Sequence, residues 1–395
     1  MELVQGLSDR TVPEQEKDEK ITLALNGQQY EDFVSASVVK DLTELSGGFA
    51  FQLTDKSGDG VPFGANDSCE VYIDGEKVIT GYTQKKKGGL STSTSMYNIQ
   101  GKERTIDFIE SDLSTNITYS DEESSNALER LYLNNIKKQP ILTGDFSLKD
   151  VIRRTLSNIN LDISVFQQDG LVLDNFTQEE NIVGKCGAKA FAFCEKYARK
   201  RGVLISSTKN SNVRIQRSAR SYNGLVLQLI LDNETNNVED SEFVEDYSKS
   251  FYKYTARCSQ NLSLGIFDKN PTNKTVTIYN NKIRKSRQKE IVMDANSTST
   301  LRKRLIWQKN FDLSNDTYTC KVKGFRGNNG ILWYPNLLVE VNDERWGVKK
   351  RMLTKRVEWT FSNGGTFTNM TLVDPIAFSG IESYDYNFRT NEIKR

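Results

Sequence analysis

The chain has 395 residues, 37% hydrophobic and 27% charged, enough for two to four domains with strongly polar surfaces. Lys and Arg number 53 against 52 Asp and Glu, a formal net charge of +1, so bulk attraction to nucleic acid or an anionic membrane is not its governing property. Histidine is absent, which removes Ser-His and Cys-His nucleophile pairs and the usual transition-metal sites in one step.

The first 20 residues read as a polar arm, without the basic start and apolar core of a signal peptide. Residues 21–111 carry short alternating strands. Ile21 to Leu25 turns at Asn26-Gly27, a strong hairpin signal, and Val34–Val39, Phe49–Leu53, Cys69–Ile73, Val78–Lys85 and Met96–Gly101 follow. The spacing predicts a small antiparallel barrel or sandwich. From residue 112 to 220 the period changes to that of an inserted α+β domain. Asn126–Lys137 has a helical pattern, Ser147-Leu148-Lys149-Asp150 is a capping box, and Ala188–Lys200 is a helix that stops at Gly202. Residues 203–205 and 213–215 read as a hairpin. Residues 221–310 form a connecting β segment ending in a helix near Ser297–Gln308. Residues 311–376 make a second β-domain, and 377–395 a polar tail.

The fold class expected is α+β, mainly β: two related antiparallel barrel-like domains with an α+β insertion. The relation rests on an echo. Leu338-Val339-Glu340-Val341-Asn342-Asp343 breaks at a turn and is followed by Lys349, Lys350 and Arg351. Glu70-Val71-Tyr72-Ile73-Asp74-Gly75 breaks likewise, and its next strand leads into Lys85, Lys86 and Lys87. Duplication and chance recurrence of a strand–turn–strand pattern both remain open at this level.

No site for chemistry emerges. There is no Walker loop or GxGxxG, and Gly184-Lys185-Cys186 lacks the upstream glycine and the Ser/Thr. Asp55, Asp59 and Asp67 lie in a Gly-rich loop without EF-hand spacing. Cys69, Cys186, Cys194, Cys258 and Cys320 are widely spread with no CxxC, and read as buried small apolar residues of a reduced compartment. Trp333, Tyr334, Trp346 and Trp359 lie on strand-like stretches, as core or interface. Basic clusters (Lys85–Lys87, Arg199–Arg201, Lys282–Lys289, Arg302–Arg304, Lys349–Arg351) and acidic ones (Asp121–Glu123, and between Asp232 and Asp246) are either solvated faces or complementary patches between copies of one protein.

Four ordered segments resemble the baseplate hub proteins of Mu-like contractile-tailed phages, a family related to late-control tail proteins and to the hub part of type VI secretion spikes. They are Gly48-Phe49-Ala50-Phe51-Gln52-Leu53; Thr80-Gly81-Tyr82 leading to Ile99-Gln100-Gly101-Lys102-Glu103-Arg104; Ala198-Arg199-Lys200-Arg201-Gly202-Val203-Leu204-Ile205; and Leu332-Trp333-Tyr334-Pro335-Asn336-Leu337-Leu338-Val339. The piece at 122–144 and the longer N-terminal arm depart from the family pattern. The resemblance implies a non-enzymatic homotrimer presenting six similar domains around a channel, without a cofactor. It implies as partners the tail tube or a tube-terminal protein, a central spike on a separate chain, baseplate wedge proteins and the tape measure. DNA would meet it only in transit, and no stable membrane binding is expected. The expected place is the virion baseplate, after assembly in the host cytoplasm. The hub of a phage-derived injection machine or bacteriocin, and a glycan-binding tail module, are the alternatives. Lys85, Lys86, Lys87, Lys349, Lys350 and Arg351 are the candidate contact residues at subunit or tube interfaces.

Overall fold

The computed structural model describes residues 19–55, 64–90, 95–119, 146–176, 182–219, 221–231, 236–258, 274–293 and 297–380, with the short pairs 386–387 and 392–393. The expected helix at 126–137, the piece at 122–144, Asp59, nearly all of the N-terminal arm and most of the C-terminal tail lie outside the described residues; the start of that tail is not polar and solvated as expected, since Ala377 and Phe378 are fully buried.

Seven strands open the chain: β1 (Ile21–Leu25), β2 (Gln28–Tyr30), β3 (Ser35–Asp41), β4 (Gly48–Asp55), β5 (Ser68–Ile73), β6 (Glu76–Leu90) and β7 (Ser95–Glu103). Asn26 and Gly27 both take positive φ, as the two-residue turn between β1 and β2 requires. A middle region follows with α1 (Ile106–Glu110), β8 (Ile117–Tyr119), α2 (Leu148–Asn158), β9 (Val165–Gln167), β10 (Ile182–Gly184), α3 (Ala190–Arg201), β11 (Leu204–Ser207) and β12 (Val213–Gln216). The capping box is formed as read: the Ser147 hydroxyl accepts from Asp150 N–H, and the Asp150 carboxylate accepts from Ser147 N–H. Gly202 ends α3 in the left-handed region (φ 63°).

Then come β13 (Tyr222–Leu229), β14 (Val238–Val244), β15 (Lys253–Cys258), β16 (Thr275–Tyr279), β17 (Gln288–Met293) and α3's later partner α4 (Thr298–Asp312). Finally there are β18 (Thr317–Lys323), β19 (Leu338–Asp343), β20 (Val348–Ser362) and β21 (Gly365–Val373). Helix α4 packs Leu301, Leu305 and Ile306 on Tyr254, Ala256 and Ile278 of the small β16-β15-β17 sheet.

Thirteen strands belong to one sheet, predominantly antiparallel. Its first half runs β1-β5-β6-β7-β4-β3, with β2 outside β1, and its second half runs β13-β19-β20-β21-β18-β14. In chain order these are the same six-strand topology written twice. One difference is that β1 meets β5 antiparallel whereas β13 meets β19 parallel. Strands β13 and β14, from the 221–310 stretch, thus share the second sheet with the strands after 311. Asparagine side chains connect these two strands at their open ends. Asn237 accepts from Gln228 N–H and donates to Val226 O (both 2.8 Å), and Asn236 does the same for Ile230 (both 2.8 Å).

The halves share one apolar cluster that includes Leu23, Val38, Phe51, Val71, Ile99, Tyr318, Trp333, Val341, Trp359 and Leu372. Trp333 and Trp359 are buried as expected, but Trp346 is 46% exposed in the β19–β20 turn, its indole donating to Ser241. The cysteines are also mixed. Cys69, Cys194 and Cys320 are buried, and burial pushes the first two thiols up to about 12, but Cys186 is exposed and Cys258 half-buried.

The glycines of the Thr80-Gly81-Tyr82 and Ile99-Gln100-Gly101 segments are there for space. A Cβ on Gly81 would lie 1.9 Å from Lys102 O, and one on Gly101 2.1 Å from the Phe49 ring. Gly101→Ala is therefore expected to destabilise the first half by about 1–3 kcal/mol. Gly64→Ala, with open space at the same position, serves as the near-neutral control; urea denaturation compares them.

Candidate functional site

In a chain without histidine, and with no group of three or more Cys, Asp or Glu able to hold a metal among the described residues, the features that can do work are strand edges and charges along them. Asp67 accepts from Gly64 N–H (2.8 Å) and from the Asn26 side-chain amide (3.4 Å).

The long strands β6 and β20 each fork. β6 pairs with β5 up to Tyr82 and with β7 from Gly81 onward; β20 pairs with β19 up to Leu353 and with β21 from there onward. At each fork one residue bulges, Gln84 in β6 and Lys355 in β20, and the residue before it is a fully buried threonine. The two forks match atom by atom. Thr83 N–H donates to Asp67 O (3.0 Å), its carbonyl accepts from Asn66 N–H (2.5 Å), and its hydroxyl takes Asp67 N–H (3.0 Å) and donates to Gly64 O (2.8 Å). Thr354 N–H donates to Leu337 O (2.9 Å), its carbonyl accepts from Asn336 N–H (2.8 Å), and its hydroxyl takes Leu337 N–H (2.8 Å) and donates to Tyr334 O (2.7 Å). Asn66 and Asn336 both sit in the left-handed region, at φ 73° and 70°, which asparagine tolerates better than other non-glycine residues.

Beyond its fork, β20 receives β3 antiparallel on its open edge, Arg356 opposite Asp41 through Phe361 opposite Ala36. This pairing joins the two halves. It is extended by Leu42 N–H to the bulged Lys355 O (2.7 Å) and by the Ser37 hydroxyl to Glu358 (2.8 Å). Under it lies a buried ion pair, Lys40 Nζ to Glu103 Oε1 at 2.5 Å, both side chains at most 3% exposed. Lys40 also donates to Tyr334 Oη and to Thr208 O (both 2.8 Å), so one ammonium ties β3 to β7, to the second half and to the β11–β12 turn of the middle region. Burial alone would lower the Lys40 pKa, but the Glu103 carboxylate and the Tyr334 hydroxyl together raise it above its ordinary 10.5. Nearby, Arg326 reaches Asp74 (2.5 Å) and Glu76 (2.9 Å), a second charged link between the halves.

The basic runs fall on equivalent strands but on opposite sides of the fork. Lys85, Lys86 and Lys87 follow the fork of β6, opposite Gln100, Ile99 and Asn98, with Lys86 over the Tyr97 ring at 5.3 Å. Lys349, Lys350 and Arg351 precede the fork of β20, opposite Asn342, Val341 and Glu340. Arg351 stacks on Tyr222 at 4.3 Å and lies 3.9 Å from Glu340. The structural counterpart of Lys85 is Arg356, which sequence reasoning passed over. Aligning Thr83-Gln84-Lys85 with Thr354-Lys355-Arg356 would have found it. Among the described residues, no strand occupies the open edge of β6 after its fork, where β20 has β3. Likewise β14, the counterpart of β3, pairs with β18 alone.

Lys40→Ala leaves Glu103 buried without its partner, and is expected to cost about 3–5 kcal/mol and loosen the junction. Because the Lys40 pKa is raised on folding, its contribution is full below about 10.5 and is lost as pH climbs through the higher folded value. Thermal melts of wild type and variant from pH 8 to 11.5 should converge only at the alkaline end.

Comparison with known proteins gives this geometry a family. The model described as "Mu phage baseplate assembly protein GpP-like, N-terminal" matches residues 20–103, the first half-sheet. That described as "Mu phage baseplate assembly protein GpP, fourth domain" matches residues 297–380, from α4 through β21. The baseplate hub protein gp44 of Escherichia phage Mu is 21% identical over 341 residues, which cover 83% of this chain and 80% of gp44. Two solved structures share the fold. The 43 kDa tail protein of prophage MuSo2 from Shewanella oneidensis has TM-score 0.70 and 20% identity, covering 91% of this chain and 99% of that one. The tail protein from Neisseria meningitidis MC58 has TM-score 0.73 and 16% identity, covering 92% and 98%. A Mu phage baseplate domain is thus matched near each end of the chain, and together with the gp44 likeness this supports a Mu-like baseplate hub protein.

Proposed function

We propose that this chain is the structural, non-enzymatic hub of a contractile-tail baseplate, working as a ring of three copies that encloses a channel. The observation that carries the reading is the repeated six-strand topology, joined within the chain by the β3–β20 pairing. Each half is barrel-like, and a ring of three chains presents six similar halves, which suits a sixfold tail tube on one side and a threefold central spike on the other. A ring also disposes of strand edges that a monomer would leave exposed.

The channel face follows from side-chain alternation. Ser35 and Ser37 of β3, Gln52 of β4, Asn98 and Gln100 of β7 and Thr360 of β20 share one face of the continuous sheet, where they line a shallow groove floored largely by apolar atoms. None of the residues lining this groove is charged, so it does not hold the phosphates of DNA passing it. Tube, spike and wedge proteins are the stable partners in this reading, and the virion baseplate is its place.

Light scattering after size exclusion, on the protein alone and with its central spike protein added, tests the ring. A threefold mass in either sample is expected; a monomer in both overturns the trimer.

A further inference from the structure

We propose that the open edge of β6 beyond its fork is the docking site for β14 of the next copy, paired antiparallel as β3 pairs β20 within the chain. This deepens the ring reading above and rests on it, adding the strands and their register.

The intrachain junction is the template. Matching the forks makes Lys85 the counterpart of Arg356, and matching the β4–β7 and β18–β21 ladders makes Asp246 the counterpart of Asp41. Within the chain, Arg356 stands opposite Asp41. Between copies, Lys85 therefore stands opposite Asp246, Lys86 opposite Glu245 and Lys87 opposite Val244. The charges are complementary in the register the template dictates: three lysines follow the fork on β6, while β14 and the two residues after it carry Glu239, Asp240, Glu242, Glu245 and Asp246.

Exposure points to the same seam. Leu90 at the end of β6 is 85% exposed, and Val244 and Tyr247 are 37% and 38% exposed. Their counterparts are Phe361, partly buried on the shared core, Val39, half-buried in β3, and Leu42, which is 1% exposed beneath the intrachain junction. Tyr247 N–H takes the place of Leu42 N–H and donates to the carbonyl of Gln84, as Leu42 does to Lys355. The partner is thus a second copy of this chain, because β14 repeats β3 in fold position and register and brings carboxylates to the lysines of β6. The contact is head-to-tail, since each copy offers a β6 edge at one end and a β14 edge at the other. Such a contact cannot make a two-fold dimer, and it makes the proposed ring when its rotation closes after three copies.

Engineered disulfides read the register directly. Lys87→Cys with Val244→Cys, in a Cys186→Ser background, places the two sulfurs across a paired position; Lys87→Cys with Asp240→Cys places them four residues apart along the strand. Oxidation of the first variant should give covalent dimers and trimers on a non-reducing gel, and the second should stay uncrosslinked. A threefold mass without this cross-link, or with cross-linking equal in the control, overturns the strand pairing and leaves the ring standing. A monomer with and without spike overturns both. Independently, Lys85→Glu should raise the concentration at which the trimer dissociates by at least about tenfold, and adding Asp246→Lys should return it to within about threefold of wild type. A double variant no tighter than the single one overturns the Lys85–Asp246 contact. Circular-dichroism melts confirm that each variant is folded before its mass is read.

Discussion

All three parts of this molecule meet on a single buried side chain, that of Lys40. Its ammonium is out of water, held by Glu103, Tyr334 and Thr208, which come from the first half, the second half and the middle region. A charge buried without such partners would cost several kcal/mol, so the three parts are obliged to keep one arrangement for the ion to remain satisfied. Around it, Glu103 also accepts from Gly47 N–H, and Ser211 in the β11–β12 turn accepts from Thr80 N–H and Arg104 Nε. The polar cluster fixes orientation, while the shared apolar cluster supplies most of the burial.

The doubled sheet solves a geometric problem that a single sheet cannot. A strand that pairs on both sides along its whole length is confined to one barrel. The bulges at Gln84 and Lys355 release the far halves of β6 and β20 from their first partners and offer a fresh edge. Within the chain that edge is taken by β3. The bulge is therefore the feature that converts a closed local fold into a unit able to extend sideways.

Much of this was legible in the sequence, and the reason is local. Alternation located the strands of the first half, the capping box located α2, and Gly202 marked the end of α3, because each depends on neighbours a few residues away. The echo around Leu338 and Glu70 located equivalent hairpins. The assignment of matching basic runs went astray because charge on an exposed strand is free to drift, so Lys349 and Lys85 resemble one another in sequence without sharing a position. What does not drift is Asn66 with Thr83 and Asn336 with Thr354, whose backbone geometry admits few other residues. Membership of β13 and β14 in the second sheet was illegible, since β15, β16, β17 and α4 intervene before β18. Nothing local says that a strand will wait for a partner beyond such an insertion.

That waiting has a time scale. Ser37 in β3 bonds Glu358 in β20, 321 residues later in the chain. At synthesis rates of about 5–20 residues per second, β3 leaves the ribosome roughly 15–60 s before its partner exists. During that interval the nascent first half carries an unpaired edge whose outward positions are small or polar, Ser35 and Ser37, with Lys40 and Asp41 as charged residues at its end. Those residues discourage premature pairing with other nascent chains on the same message. The covalent order of the chain thus makes joining the halves a late event, possible only after β20 has been made.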